Sequence, residues 1–394
     1  MIEVRGSTKQ PLGMTPARFL RDFWQKKPLL IRSFATDGLD SVSPNDLAGL
    51  ACEEAALARI VSHDPRLDRW RVRNGPFRER DFARLGKKNW TLLVQDVDKW
   101  DMDVAAVLDR LAFIPTWRID DVMISYATDG GGVGAHVDQY DVFLVQGMGW
   151  RRWRISTEAG AKQEFRDDSE LKLLSAFSPT HDWLLEPGDA LYLPPGVPHE
   201  GIAIGECMTW SIGMRAPAQA ELLLDLAEFL AEPLGEEQRY ADRDLVPARA
   251  AGEIDAAAMR RVRAALPQFA HVADSILAHW FGRFITRYRS AQMAVAPGRV
   301  PTEAALLRTL PGATLLRNPF SRFAWRRAGR GAELFAAGDA WPCSLRFARL
   351  VAAEREISGS ALGAACAHAP SRQALVALIG AGHVQIARRR PRAH

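Results

Sequence analysis

The sequence predicts an α+β protein: a two-sheet jelly-roll barrel, or double-stranded β-helix, with a helical module and a third small unit behind it. Three observations lead there. Short apolar runs between residues 28 and 212 are separated by Gly, Pro, Asn and Asp, the pattern of an antiparallel barrel. An α/β segment precedes them. After Pro217 the apolar residues change to helical spacing. A chain of 394 residues is also too long for one ordinary domain. We divide it into a barrel domain (1–217), a helical module (218–290) and a third unit (291–394).

The first elements are short. Thr15–Trp24 reads as a helix with Thr15 as N-cap and Pro16 at the first helical position, where a missing N–H does no harm. Pro28–Ile31 is a buried strand. Ser43-Pro44-Asn45-Asp46 caps a helix expected over Asp46–Cys52. Leu57–Val61, Trp70–Val72, Trp90–Val94 and Val122–Tyr126 are strand-like. Phe77–Leu85 reads as loop and turn, and Val104–Ala112 has helical spacing. Val142–Val145 and Arg151–Ile155 are predicted to form a hairpin that turns at Gly147-Met148-Gly149. Glu164–Leu174 is charged and helix-like, and is expected outside the barrel. Trp183–Leu185, Ala190–Leu193, Ile202–Ile204 and Met208–Ile212 supply the last strands, with a turn at Pro187-Gly188-Asp189.

Beyond the barrel, Gln219–Leu230, Ala256–Leu266 and Pro267–Tyr288 are predicted helices. Their apolar faces exceed what one barrel edge covers, so a homodimer is expected. Leu306–Ala313 and Ser321–Arg326 look irregular. Gly331–Phe335 is strand-like, Ser344–Glu354, Ser358–Cys366 and Ser371–Leu378 are short helices, and Gly382–Ile386 is a candidate wing strand. That order is winged-helix-like. The basic end Arg388-Arg389-Arg390-Pro391-Arg392 reads as a frayed terminus.

The chemistry concentrates in Asp121–Ser156. Gly130-Gly131-Gly132-Val133-Gly134 lets backbone come close to a ligand. His136 and Asp138 follow, and residues two apart on a strand share a face. His199 stands just after Pro194-Pro195-Gly196-Val197-Pro198. Two histidines and one carboxylate make the facial triad of non-haem Fe(II) oxygenases, with positions left open for co-substrate and oxygen. His-x-Asp alone is weak, since a single histidine is more often core or surface. The glycine run, the downstream arginines and the Pro-rich turn strengthen it.

These same residues resemble the JmjC-type, cupin-like 2-oxoglutarate oxygenases, and within them the bacterial ribosomal oxygenases. WRIDDVMISYA, GGGVGAHVDQYDVFLVQG, RRWRIS, PGDALYLPPGVPHEG and WSIGMRAP carry the resemblance, as does FWQKKPLLIRSF. It covers most of Pro11–Pro217 and is weaker beyond. It implies Fe(II) on His136, Asp138 and His199, with 2-oxoglutarate and O2 as co-substrates. Oxidative decarboxylation then gives succinate and CO2 and leaves a hydroxylated C–H. It also implies a helical dimerisation module and a winged helix. The implied substrate is an arginine of the large-subunit ribosomal protein numbered sixteen. Arg151 is the candidate partner of the distal 2-oxoglutarate carboxylate, because a guanidinium forks onto a carboxylate. Arg152 and Arg154 should face away by alternation. Ser125 matches a position that hydrogen-bonds the co-substrate. Tyr140 is expected near the substrate pocket, and Trp153, Trp183 and Trp210 in the core. Three positions depart from the family: Trp150 stands where a basic residue is usual, Asp129 where an apolar one is, and Ala135 where proline is. Asp129 is read as a turn cap.

Composition sets outer bounds. With 47 % hydrophobic and 25 % charged residues the chain is ordinary for a globular protein. No apolar run approaches the ~20 residues of a membrane span, and MIEVRGSTKQPLG has no signal core. Cys52, Cys207, Cys343 and Cys366 are scattered, against a disulfide framework or zinc cluster. A reduced cytoplasm is expected. The net charge of +4 is modest, so direct nucleic-acid binding is not expected. Rival readings are a histidine or lysine hydroxylase, an N-methyl demethylase, a non-oxygenase metal-binding cupin, and a winged-helix nucleic-acid-binding regulator.

Overall fold

The computed structural model describes residues 2–158, 163–235, 239–246, 256–266 and 272–387. The basic end at 388–392 and part of the predicted helix Pro267–Tyr288 therefore lie outside the described residues. The chain divides into two compact units at Ala216/Pro217.

The first unit begins with β1 (Glu3–Arg5), α1 (Pro16–Asp22), β2 (Leu29–Arg32) and α2 (Pro44–Leu50). Thr15 caps α1 as expected, its side chain accepting from Arg18 N. Ser43 and Asp46 form a reciprocal capping box that starts α2 at Pro44, two residues before the predicted start. Next come β3 (Ala58–Asp64), β4 (Arg69–Asn74), α3 (Glu79–Ala83), β5 (Trp90–Val94), α4 (Val97–Trp100) and α5 (Met102–Ala106). The predicted loop at Phe77–Leu85 thus holds a short helix, whose first turn is fixed by the Asp81 carboxylate accepting from Arg78 N at 2.9 Å. The barrel continues with β6 (Ile119–Ala127), β7 (His136–Val137), β8 (Val142–Ile155), β9 (His181–Leu185), β10 (Ala190–Leu193) and β11 (Pro198–Met214). The sheet path is β1-β2-β10-β8-β11-β6-β5-β3-β4, with β7 also on β11 and β9 also on β8.

The predicted hairpin at Gly147–Gly149 is absent. β8 is one strand of 14 residues, antiparallel to the 17-residue β11 along both of its halves. The glycines mark an irregularity in the ladder. Gly149 has φ +60, and a side chain there would run into the Glu206 carbonyl. The ladder slips register between Ile204 and Thr209 and then resumes.

Glu164–Leu174 is not a helix. Its ends pair as an isolated Phe165↔Leu174 bridge. Leu173 and Leu174 are buried, and Leu174 N donates to Ala135 O at 2.8 Å, next to the glycine run. Arg166 meanwhile pairs with Asp168 and Asp68. The bridge and the Leu174–Ala135 hydrogen bond take the backbone groups a helix would need, so tertiary contact overrides the local charge pattern.

The second unit holds α6 (Gln219–Ala231), α7 (Ala256–Ala265), α8 (Asp274–Thr286) and α9 (Glu303–Thr309). Strands β12 (Thr314–Arg317), β13 (Phe323–Ala328), β14 (Gly331–Ala336) and β15 (Asp339–Cys343) follow, then α10 (Leu345–Ala353), β16 (Glu356–Ser358), α11 (Gly359–Ala365), α12 (Ala369–Gly380) and β17 (Val384–Ile386). Two segments expected to be irregular are regular. Thr302 caps α9 through Ala305 N, and β13 pairs with β14, where Arg326-Arg327 hid the strand alternation. The two small sheets are β16-β12-β17 and β13-β14-β15.

Candidate metal and co-substrate site

His136 and His199 face each other across the β7–β11 ladder as direct cross-strand partners. Their ring centroids are 4.3 Å apart. β7 ends at Val137, so Asp138 sits just past the strand and is not placed by alternation. Its carbonyl is instead pinned by Gly196 N at 2.8 Å. Ligand atoms of His136, Asp138 and His199 all lie within 4.8 Å of one another, and no other such cluster occurs among the described residues.

Both imidazoles are oriented in the same way. Nδ1 of His136 donates to Gly134 O and Nδ1 of His199 to Val197 O, each at 2.9 Å. A carbonyl can only accept, so each Nδ1 carries a proton, and Nε2 is the ring atom left for a metal. His199 Nε2 lies 3.7 Å from Asp138 Oδ2. Burial pulls the His199 pKa down to about 4; His136 adds to the drop and Asp138 opposes it. A neutral imidazole at physiological pH is what a metal needs. Beside them Tyr140 keeps its proton, because burial and then the Asp138 charge raise its pKa well above the phenol range.

The other end of the site is built on β8 and β11. Arg151 is 3 % exposed. Nη1 donates to Thr209 Oγ1 at 3.2 Å and makes a long 3.4 Å contact to Ser125 Oγ. Nη2 donates to Gly201 O at 3.2 Å, and Nε has no partner. Every acceptor here is neutral. Burial pulls the Arg151 pKa below its ordinary value, yet a guanidinium does not surrender its proton in a protein. A buried cation with no carboxylate in reach among the described residues calls for an anion. Gly201 makes the space: a methyl group there would stand 2.7 Å from the Trp153 ring and 2.8 Å from Arg151 Nε. Arg152 and Arg154 point outward and pair with Asp182 and Glu200, as alternation predicts.

Comparison with known proteins now bears on the geometry. Residues 106–222 match the JmjC domain model, and residues 268–385 match the ROXA-like winged helix. The chain is 38 % identical over 283 residues to the ribosomal protein uL16 3-hydroxylase of Escherichia coli (strain K12), covering 72 % of this chain and 74 % of that one. The chain belongs to the ribosomal oxygenase family. A probable ribosomal oxygenase of Haemophilus influenzae is 40 % identical over 214 residues, 54 % of this chain and 52 % of that one. The solved ribosomal oxygenase YcfD of Escherichia coli, in complex with cobalt and 2-oxoglutarate, superposes with a TM-score of 0.79 at 31 % identity. That match covers 95 % of this chain and 99 % of that one. The fold is therefore the JmjC/cupin-like barrel with a C-terminal winged helix.

As a ribosomal oxygenase the chain brings together all five residues predicted for the site. Asp129 also behaves as a turn residue: it accepts from Gly205 N at 3.0 Å and pairs with Lys88. Trp153 and Trp210 are buried, and Trp183 packs half-buried against the smaller barrel core. Sequence reading missed three residues. Thr209 and Gln146 hold the Arg151 fork, linked by a 3.1 Å hydrogen bond. Asp141 is fully buried and accepts from Tyr192 Oη at 2.7 Å, Gln25 Nε2 at 2.8 Å and Arg118 Nη2 at 3.2 Å. It anchors the segment that carries Asp138 and Tyr140. The only signal for it was its place in HVDQYD.

Proposed function

We propose that this ribosomal oxygenase hydroxylates an arginine side chain of the large-subunit ribosomal protein uL16, in the cytoplasm, using Fe(II), 2-oxoglutarate and O2. The observation that carries the oxygenase chemistry is the pairing of a three-donor cluster with a buried cation that lacks a countercharge. His136, Asp138 and His199 would hold the iron through two Nε2 atoms and one carboxylate. Arg151 would take the distal carboxylate of 2-oxoglutarate, with Ser125 and Thr209 beside it. When bound, the metal and co-substrate supply an oxidative decarboxylation that delivers one oxygen atom to a nearby C–H. The chain's own residues orient and dry the site. Tyr140 stays protonated next to Asp138, and the buried Trp153 ring, 5.2 Å from the Arg151 guanidinium, excludes water from the arginine end.

The arginine reading draws on the surroundings of Tyr140, on which the charges of Asp138 and Asp121 both act. A methyl group at Gly213 would stand 3.6 Å from Asp121 Oδ1 and 4.0 Å from the Tyr140 ring, so carboxylate and aromatic flank one spot. A guanidinium fits such a pair through a fork and a π-face. The test is mass spectrometry of ribosomal proteins from cells with and without this chain. One added oxygen on a uL16 arginine supports the reading. The same addition on a histidine or lysine instead replaces it.

The same proposal assigns the helices of residues 218–290 to self-association. α6 carries LLLDLAEFLA yet has no buried residue, and Leu223 and Leu224 are 60 % and 72 % exposed. Light scattering at micromolar concentration should give the mass of a dimer; a stable monomer removes this part.

A further inference from the structure

Local charge tells a different story from net charge. Between Arg66 and Lys88 nine residues are Arg or Lys and three are acidic. That local excess is larger than the +4 of the whole chain, so the remainder is net acidic. All nine basic residues are exposed. Two of them are paired, Arg73 with Asp81 at 2.9 Å and Lys88 with Asp129 at 2.8 Å. Arg66, Arg69, Arg71, Arg84 and Lys87 have no ion-pair partner among the described residues. Asp68, the acid inside the hairpin turn, is taken by His63 and Arg166.

The patch has a defined place. β4 is the last strand of the sheet path, and its burial alternates: Arg69, Arg71 and Arg73 are exposed, Trp70 and Val72 half-buried. Trp70 stacks on His63 at 4.1 Å and reaches Gly134, where a methyl group would stand 3.1 Å from its ring. Gly134 is the residue that holds the His136 imidazole. At the other end Lys88 and Asn89 meet Asp129, at the start of the glycine run. The basic strip thus borders the approach to the metal cluster.

Charged residues commonly blunt a free sheet edge, but one or two of either sign suffice. Here basic residues outnumber acidic ones nine to three from Arg66 through α3 and the following loop. Seven of the nine are arginines, whose planar fork matches phosphate. We propose that this strip, β4 together with residues 78–88, binds the phosphodiester backbone of RNA, so that the substrate is taken as a protein–RNA complex. This rests on the ribosomal-protein reading above and reverses the expectation of no nucleic-acid contact. A strip of like charge repels a basic chain and attracts a phosphate backbone.

The experiment uses the full chain, a fluorescein-labelled 20-nucleotide single-stranded RNA and labelled poly-glutamate. RNA should bind with a Kd of about 1–100 µM near physiological salt, weakening steeply as salt rises. The double variant Arg69→Glu/Arg71→Glu should weaken RNA binding at least about tenfold and flatten the salt slope by about 0.7 for each phosphate no longer neutralised. Its turnover of a short uL16 peptide should stay within about twofold of wild type, as neither arginine belongs to the site. If the double variant does not fold, Arg69→Gln/Arg71→Gln carries the test with a smaller loss. Undiminished RNA binding in the variants overturns the proposal, as does poly-glutamate binding as tightly as RNA, which would mark an acidic protein partner. A wild-type chain that binds RNA through the strip but modifies neither the peptide nor uL16 in its RNA complex refutes the uL16 reading alone.

Discussion

The two ends of the site solve opposite electrostatic problems. At the metal end the donors are already arranged. Both imidazoles are tied to backbone carbonyls through Nδ1, His199 is held neutral by burial, and one carboxylate stands beside them. At the arginine end a full positive charge is buried among neutral acceptors, with one N–H unmatched. The first end needs a cation to use its lone pairs, and the second needs an anion to offset its charge. β11 spans both, with His199 at one point and Ala203, the register partner of Arg151, four residues on. A ligand that bridges them must offer a metal-chelating head and an anionic tail. 2-Oxoglutarate meets that demand, and the difference between the ends says which substitution should affect which partner.

The largest effect should come at the metal end. Asp138→Ala removes the only carboxylate of the cluster and should abolish both tight Fe(II) binding and turnover, read by metal titration and by succinate production. Full activity in that variant sinks the triad. Arg151→Ala should break the other end alone. Losing one partner of a buried charge pair costs roughly 3–5 kcal/mol. At about 1.4 kcal/mol per tenfold, the 2-oxoglutarate requirement should rise by roughly two to nearly four decades. Fe(II) binding should stay near wild type. Arg151→Lys should recover part of the loss, since charge survives without the fork. Arg152→Ala, one residue along and facing solvent, should leave the requirement unchanged. A large defect in Arg152→Ala with none in Arg151→Ala would overturn the assignment of ends.

Gly201→Ala sharpens the contrast with a smaller push. Its methyl group would sit 2.7 Å from Trp153 and 2.8 Å from Arg151 Nε. Overpacking of this kind costs about 1–3 kcal/mol, so a rise of about tenfold in the 2-oxoglutarate requirement is expected, with metal affinity retained. Equal damage to both ends would show that they are not separable.

Legibility in the sequence follows the same divide between local and tertiary causes. The predicted strands Trp90–Val94 and Ala190–Leu193 match β5 and β10, because short buried runs between turn residues need no distant information. His136, Asp138 and His199 stood out through spacing and flanking glycine and proline. The glycines of Gly147-Met148-Gly149 misled, because a turn and a bulge look alike locally. What decides between them is whether a partner strand continues, and β11 does. Glu164–Leu174 misled because Leu174 is fixed by Ala135 and Leu173 lies against Gly134, both far away in sequence. Thr209, Gln146 and Asp141 were invisible for a related reason. A polar residue within a strand carries no spacing signal, and its role appears only when the buried charge it serves is in place.

The smallest predicted effect concerns pH, and it separates the ends without touching the arginine. His199 is held neutral by burial, with a folded-state pKa of about 4, against about 6.5 for an unfolded histidine. Between those values the unfolded chain takes up a proton that the folded chain refuses. The stability that goes with the neutral ring is therefore fully present above about pH 6.5. It is lost progressively as pH falls toward 4, and levels off below. Arg151 does not titrate in this range. In metal-free protein, the melting temperature of wild type should fall more steeply from pH 7 to pH 4.5 than that of His199→Gln, which has no proton to gain. Both proteins carry the same carboxylates, so the difference between their curves isolates the imidazole. Parallel curves would mean that His199 already shares a proton with Asp138, 3.7 Å away, and is not the neutral donor described above.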